Sequence, residues 1–391
     1  MKAAVLNNMD ALGPAALDQG ALAGIAAAAL DAPSVELLSA NASEITFPMF
    51  NMTTGGLWRV DGTARIGSAE DSAPFSVVVK LVQSPLLWGG IEQVPPQMRR
   101  DMVRHYPWRT EAEVYASDLA DAMPAGGRLP KVYSIQDTDE QRTAMWMEDV
   151  TESPGAVWDD DRFRDAATLL GRLAGSTAVK DRGPVLRVEK DADRMRFFLK
   201  GVGAMLLIPG IQGDDLWKIP AVAEAADPHL IAGLRSLTLR AAGLMEEIIA
   251  LPALPAHGDA SPQNLLIERT DGASTEFAVI DWGLYGGACA GFDLGQLLAG
   301  LVNQGTMSGE ELYRLEPLCL RAYCEGLADA GVETSEAEVR RGHAASMALF
   351  TGLSAVATQR LAEPDSDELR TLVAGRVHMA RFVLDLLAST D

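Results

Sequence analysis

Apolar and polar positions along the chain change their period near residue 150. Before it, apolar residues come in short β-branched or alternating runs, the signature of strands. Val35–Phe47 reads as a strand and Leu57–Ile66 as its partner, bent or ended by Asp61-Gly62. The turn-rich Asn51-Met52-Thr53-Thr54-Gly55-Gly56 separates them. The continuous β-branched run Phe75–Val82 predicts the strongest strand in the chain. Lys131–Ile135 and Thr143–Met147 complete a small sheet. Residues 1–33 read as an Ala-rich helical lead-in, and Arg109–Ala122 as one helix. Between the strongest strand and that helix, Ser84–Pro107 is a proline-punctuated connection.

After residue 150 apolar residues recur at three- and four-residue spacing. Asp161–Ala174 places Phe163, Ala166, Leu169, Leu170 and Leu173 on one face. Leu230–Leu251 predicts a long helix. So does the segment from Ser366 onward, with Leu369, Leu372, Val373, Val377, Ala380, Leu384 and Leu387 as a stripe. Only His257–Ile280 interrupts: a loop, a strand-like Leu265–Ile267, a turn at Asp271-Gly272, and a short buried strand Phe277–Ile280. The order is α+β, not alternating βαβ. It divides into an N-terminal lobe at 1–147, a hinge at 148–152 and a helical C-terminal lobe at 153–391.

Composition narrows the classes. With 33 Lys+Arg against 54 Asp+Glu, the formal charge is −21, which repels nucleic acid and anionic membranes. No stretch approaches the ~20 apolar residues of a membrane span, and no secretory leader is visible. Cys289, Cys319 and Cys324 are odd in number and lack zinc spacing, so reduced thiols and a cytoplasmic location are expected. The oligomeric state is not encoded in any pattern here.

The chemistry concentrates in His257-Gly258-Asp259-Ala260-Ser261-Pro262-Gln263-Asn264, followed seventeen residues after Asn264 by Asp281, in Val279-Ile280-Asp281-Trp282-Gly283. The order matches the kinase pattern H-x-D-x-x-x-x-N then D-F-G. Phosphoryl transfer needs positioning and charge neutralisation more than covalent chemistry. Asp259 suits the carboxylate that orients a hydroxyl and takes its proton. Asn264 and Asp281 supply the hard oxygens that Mg²⁺ prefers. Upstream, Lys80 closes the β-branched run where a kinase holds the α- and β-phosphates. Glu111 and Glu113 on the following helix are candidates to hold that lysine, with Glu111 preferred. Thr54, Gly55 and Gly56 lie where a phosphate-covering loop belongs, and the backbone of Glu148 and Val150 lies where adenine would pair.

These residues resemble the aminoglycoside phosphotransferase and choline kinase-like superfamily, which carries this loop in place of H-R-D. Trp108–Tyr115 and Trp146–Val150 are similar to its helix and hinge. The resemblance spans roughly residues 35–300. It implies a bilobal protein-kinase-like fold, with a small antiparallel-sheet N-lobe and a larger helical C-lobe. It also implies Mg²⁺ and ATP, with GTP left open. Asp259 is then the base, Asn264 and Asp281 the metal ligands, Lys80 the partner of Glu111, and Glu148 and Val150 the adenine contacts. Asp293 resembles a family aspartate that braces the C-lobe; it also reads as a helix cap.

The implied reaction moves the γ-phosphate of ATP to a hydroxyl of a small molecule, such as an aminoglycoside-type or other antibiotic. The alternatives are a metabolic kinase of a sugar, amino sugar or amino alcohol, and a nucleotide-binding module without turnover. The acids Asp159, Asp160, Asp161, Asp214 and Asp215 are expected to be helix-cap and loop acids rather than receptors for an amine.

Overall fold

A computed structural model describes residues 4–46, 51–67, 72–270, 274–356 and 359–390. In chain order its strands are β1 (Val5–Asn7), β2 (Val35–Glu44), β3 (Thr54–Ile66), β4 (Ser72–Gln83), β5 (Gly127–Arg128), β6 (Val132–Asp139), β7 (Arg142–Glu148), β8 (Leu254–Ala256), β9 (Leu265–Thr270), β10 (Thr275–Val279) and β11 (Gly286–Ala288). Two compact units form, one from Met1–Ser117 with Leu129–Thr151, the other from Asp118–Arg128 with Glu152–Asp391.

The first unit is a six-stranded sheet in the order β1-β2-β3-β4-β7-β6. The two-residue period of β4 explains its layering. Val77, Val79 and Leu81 join Trp58, Val60 and Trp146 in a core closed by Leu22 and Ile25 of the helix Gln19–Ala29. The alternate residues Val78 and Val82 pack on the other face with Met145, Met147, and Ala112 of the helix Thr110–Tyr115.

Three sequence expectations change in this unit. The lead-in is not wholly helical: β1 adds to the sheet edge parallel to β2, at Val5↔Ser39. The sheet is therefore mixed at that edge and antiparallel elsewhere. Three residues with Val5 and Leu6 largely exposed leave no apolar signal to read. The expected Arg109–Ala122 helix is two pieces, Thr110–Tyr115 and Leu119–Ala122. Ser117 Oγ donates to the Val114 carbonyl at 2.6 Å at that break. Asp61-Gly62 neither ends nor interrupts β3. The end of the Val35–Phe47 strand expectation, at Phe47, lies outside the described residues.

The second unit is mainly helical. The helix Asp160–Gly175 is capped by Asp159, Pro228–Ala250 by Asp227, and Asp367–Ala388 by Ser366. Each buries the face the sequence period marks. Two small sheets sit among the helices: β9 and β10 form a hairpin extended by β5, and β8 pairs with β11. The Asp271-Gly272 turn lies outside the described residues. The five acids are all engaged: Asp159 with Arg162, Asp160 with Arg314, Asp161 with Arg164, Asp214 with Arg235 and Asp215 with Lys218. Cys289 and Cys319 are buried free thiols and Cys324 is a half-buried one. Among the described residues no helix is long and apolar enough to cross a membrane.

Candidate active site

In the first unit, the β4 alternation sets Lys80 between Val78 and Val82, on the face that the helix Thr110–Tyr115 covers. Lys80 Nζ lies 2.6 Å from Glu111 Oε2, and the two residues are 8% and 3% exposed. Glu113 is half-buried and makes no such pair. A buried ion pair is weak support for stability, because desolvating both charges offsets their attraction.

Thr54, Gly55 and Gly56 open β3. Asn51 Oδ1 accepts from the N–H of Thr53 (2.9 Å) and of Thr54 (3.2 Å), an Asx turn leading into the strand. A β-carbon at Gly56 would come 1.9 Å from the Trp58 indole. Packing within the sheet alone therefore demands glycine there.

Glu148 ends β7, donating its N–H to the Lys131 carbonyl (2.9 Å) and accepting from the Lys131 N–H through Oε2 (2.9 Å). Val150 lies just beyond that ladder. Asp149 between them, not singled out by sequence, takes Arg59 on both oxygens (2.7 and 3.0 Å) and Ser76 Oγ (2.7 Å). Burial pushes its carboxyl up, but the bonds from Arg59 and Ser76 hold it below the ordinary carboxylate range. The only available signal was its place between two positions whose backbones matter.

In the second unit the hairpin register brings three predicted residues together. Val279 pairs with Leu265, and the Ile280 N–H donates to the Asn264 carbonyl at 2.9 Å. Asn264 and Asp281 thus stand side by side at the open end of the β9–β10 hairpin. Asn264 Nδ2 donates to the Asp259 carbonyl (2.8 Å) and toward its carboxylate Oδ2 (3.3 Å). Asp281 has φ 59° and ψ 58°, the left-handed region that short polar side chains tolerate better than most. The next residue, Trp282, is fully buried, donates its indole N–H to Val279 (2.9 Å), and packs 4.6 Å from the His257 ring.

His257 is a brace. Its Nδ1 accepts from the Asp259 N–H (3.2 Å), so Nε2 carries the proton donated to the Ile280 carbonyl (2.9 Å). One imidazole ties the His257–Asn264 loop to the strand leading into Asp281. Asp293 does not cap its own helix. Its two oxygens accept from the N–H groups of His257 and Gly258, both at 2.8 Å. Burial pushes the Asp293 carboxyl up, against those two bonds.

Gly258 has φ 89°, and a β-carbon there would sit 2.1 Å from the Leu284 carbonyl oxygen. Gly258→Ala is expected to cost at least about 1–3 kcal/mol from the backbone strain alone, read as a lowered Tm with lost turnover. An alanine variant as stable as the parent would contradict this packing.

The electrostatics follow from the same closeness. Burial, and next the neighbouring Asp281 carboxylate, raise the Asp259 carboxyl to about 6, while His257 and then the Asn264 bond pull it down. Two repelling carboxylates beside an amide oxygen are a hard-oxygen donor set, and they suit Mg²⁺. Because Nδ2 of Asn264 is spent on Asp259, its Oδ1 is the end left to face a cation.

A family model described as the phosphotransferase enzyme family matches residues 103–332. Among curated proteins none matches. Similar solved structures include a microcompartment-associated aminopropanol kinase, at 13% identity and TM-score 0.47, covering 89% of this chain and 93% of that one. Another is the GDP and kanamycin complex of APH(2")-IIia, at 12% and 0.48, covering 94% and 98%. A third is an ethanolamine kinase of Plasmodium vivax, at 14% and 0.44, covering 90% and 83%.

Proposed function

The chain belongs to the phosphotransferase enzyme family, and from that premise we propose that it moves the γ-phosphoryl group of ATP to a hydroxyl of a small molecule, with Asp259 as the base. The observation that carries this reading is the geometry of the loop: Asn264 Nδ2 bonds the Asp259 carbonyl (2.8 Å) and reaches its carboxylate (3.3 Å), Asp281 follows the residue whose N–H bonds the Asn264 carbonyl, and Asp293 and His257 brace the loop.

A base with a pKa of about 6 is ionised at neutral pH, yet more basic than an ordinary aspartate, so it accepts a proton more readily. Asp259 orients the acceptor hydroxyl through one carboxylate oxygen and takes its proton as the new P–O bond forms. The leaving group is ADP. Asn264 Oδ1 and the Asp281 carboxylate are the residues that would hold Mg²⁺, which neutralises phosphate charge when bound. Lys80, steadied by Glu111, contacts the α- and β-phosphates. The backbone at Thr54–Gly56 lies over the phosphates, and that of Glu148 and Val150 pairs with the adenine. Asp149, clamped to Arg59 and Ser76, keeps this last segment in place.

Lys80→Met should raise the KM for ATP by about 10-fold or more, the worth of a charge-assisted bond, with a smaller change in the KM for the acceptor. An unchanged KM for ATP would remove Lys80 from the phosphate site. The function itself is tested by incubating the protein with Mg-ATP and aminoglycosides, other hydroxylated antibiotics, sugars, amino sugars and amino alcohols. Phosphorus NMR would then seek a new phosphate monoester. A monoester with one class names the acceptor; nucleotide hydrolysis with no monoester would refute transfer to these acceptors.

A further inference from the structure

The helix Val188–Phe198 lays Asp191 and Arg194 against β11, one strand pairing from the catalytic loop. Gly286 of β11 faces Ala256 of β8, whose next residue is His257. A β-carbon at Gly286 would come 2.7 Å from Arg194 Nη2 and 3.0 Å from Asp191 Oδ1. The chain keeps a glycine where this guanidinium needs the space.

Arg194 differs from its neighbours in how little it is used. Arg196, two residues on, is held by both oxygens of Glu246, at 2.8 and 2.7 Å. Asp191 instead turns Oδ2 to the Gly287 N–H (2.8 Å), and among the described residues no carboxylate reaches salt-bridge distance of Arg194. Of five N–H donors the Arg194 guanidinium spends one, from Nη1, on the Tyr285 carbonyl at a long 3.3 Å.

Protein crowds Arg194 closely enough that burial pushes its pKa down, with Asp191 offsetting only part of this. Yet the residue is only half-buried, so its outward side meets solvent. A cation set into a protein wall with most donors unspent is costly unless an anion completes it. In a protein of formal charge −21, the placement of this one beside the catalytic loop needs a reason.

We infer that Arg194 receives an anionic group, a carboxylate or phosphate, carried by the acceptor whose hydroxyl is phosphorylated. This rests on the phosphotransferase reading for the word acceptor, but not for the anion site itself. The acceptor class becomes hydroxylated acids or phosphate esters, and a purely cationic acceptor leaves Arg194 unanswered. Arg194 is thereby a specificity-determining residue, distinct from Asp259.

The test uses three matched probes, glycerol, glycerate and glycerol phosphate, with Tm as the first readout and chloride matched for ionic strength. Wild type should show a saturable rise with glycerate or glycerol phosphate and none with glycerol; which anion acts separates carboxylate from phosphate. Arg194→Gln should abolish the rise, and Arg194→Lys should retain part of it. No anion-specific rise in wild type, or an equal rise in Arg194→Gln, overturns the inference.

The second readout is kinetic, on whichever acceptor turns over. Arg194→Gln should raise the acceptor KM about 10-fold or more, with kcat and the KM for ATP changed far less. A neutral or cationic acceptor with an unchanged KM overturns Arg194 while leaving the kinase reading intact. An anion site in a protein without transfer does the reverse.

Discussion

Asp259→Asn is expected to lower kcat by about 10²- to 10⁴-fold, the range a positioned general base supplies, while Mg-ATP affinity changes by no more than a few-fold. Asparagine keeps the shape of the side chain, and its amide oxygen can still accept from Asn264, but it cannot take a proton at neutral pH. Removing the charge also relieves the repulsion from Asp281, so nucleotide affinity has no electrostatic reason to collapse.

A second readout comes from linkage. The Asp259 carboxyl is raised to about 6 in the folded protein, above its ordinary value. The folded state therefore binds that proton more tightly than the unfolded chain. This contribution to stability is full below the unfolded pKa and is lost as pH rises through about 6. In chelator, the asparagine variant should gain stability over wild type as pH climbs across that window. Parallel stability curves for the two proteins would deny the raised pKa.

Asp281→Asn should act on the other half of the chemistry. It replaces a full charge on the cation by a neutral oxygen, and a loss of about 10- to 100-fold in Mg-ATP affinity is expected, by analogy with the cost of disturbing metal-supporting groups. Asparagine tolerates the left-handed backbone at 281 as well as aspartate does, so the hairpin end should survive. The Asp259 carboxyl should fall toward its ordinary value, because its second-largest perturbation is gone. Calorimetric titration with Mg-ATP separates the two variants. Equal loss of nucleotide binding in both would contradict the separate roles.

β4 was legible because four valines with Phe75 and Leu81 fall within the eight residues Phe75–Val82. The placing of Asn264 and Asp281 at one end of a hairpin was legible because a tight hairpin fixes register once its two apolar strands are seen. Lys80 and Glu111 were legible as types, and their contact follows from the face on which each element buries its apolar residues.

Asp293 shows where local reading stops. A carboxylate ahead of an apolar helical run has the look of a cap, but its backbone is already helical and its side chain bonds a loop 36 residues earlier. Arg194 carries no local signal and Asp149 only its place between Glu148 and Val150, since their meaning lies in contacts with β11 and with Arg59 that only the folded chain supplies. The three-residue β1 fails for a related reason: main-chain pairing holds it, and its outward side chains say nothing.

Transfer to a hydroxyl with Asp259 as the base is tested by acceptor-dependent ADP release from Mg-ATP, with wild type and Asp259→Asn side by side, over the panel of hydroxylated compounds with the carboxylated and phosphorylated probes added. Wild type should release ADP with one acceptor class, and the variant should lose that release although it still binds Mg-ATP. Release that persists undiminished in Asp259→Asn, or a wild-type protein that does not bind Mg-ATP, would contradict it.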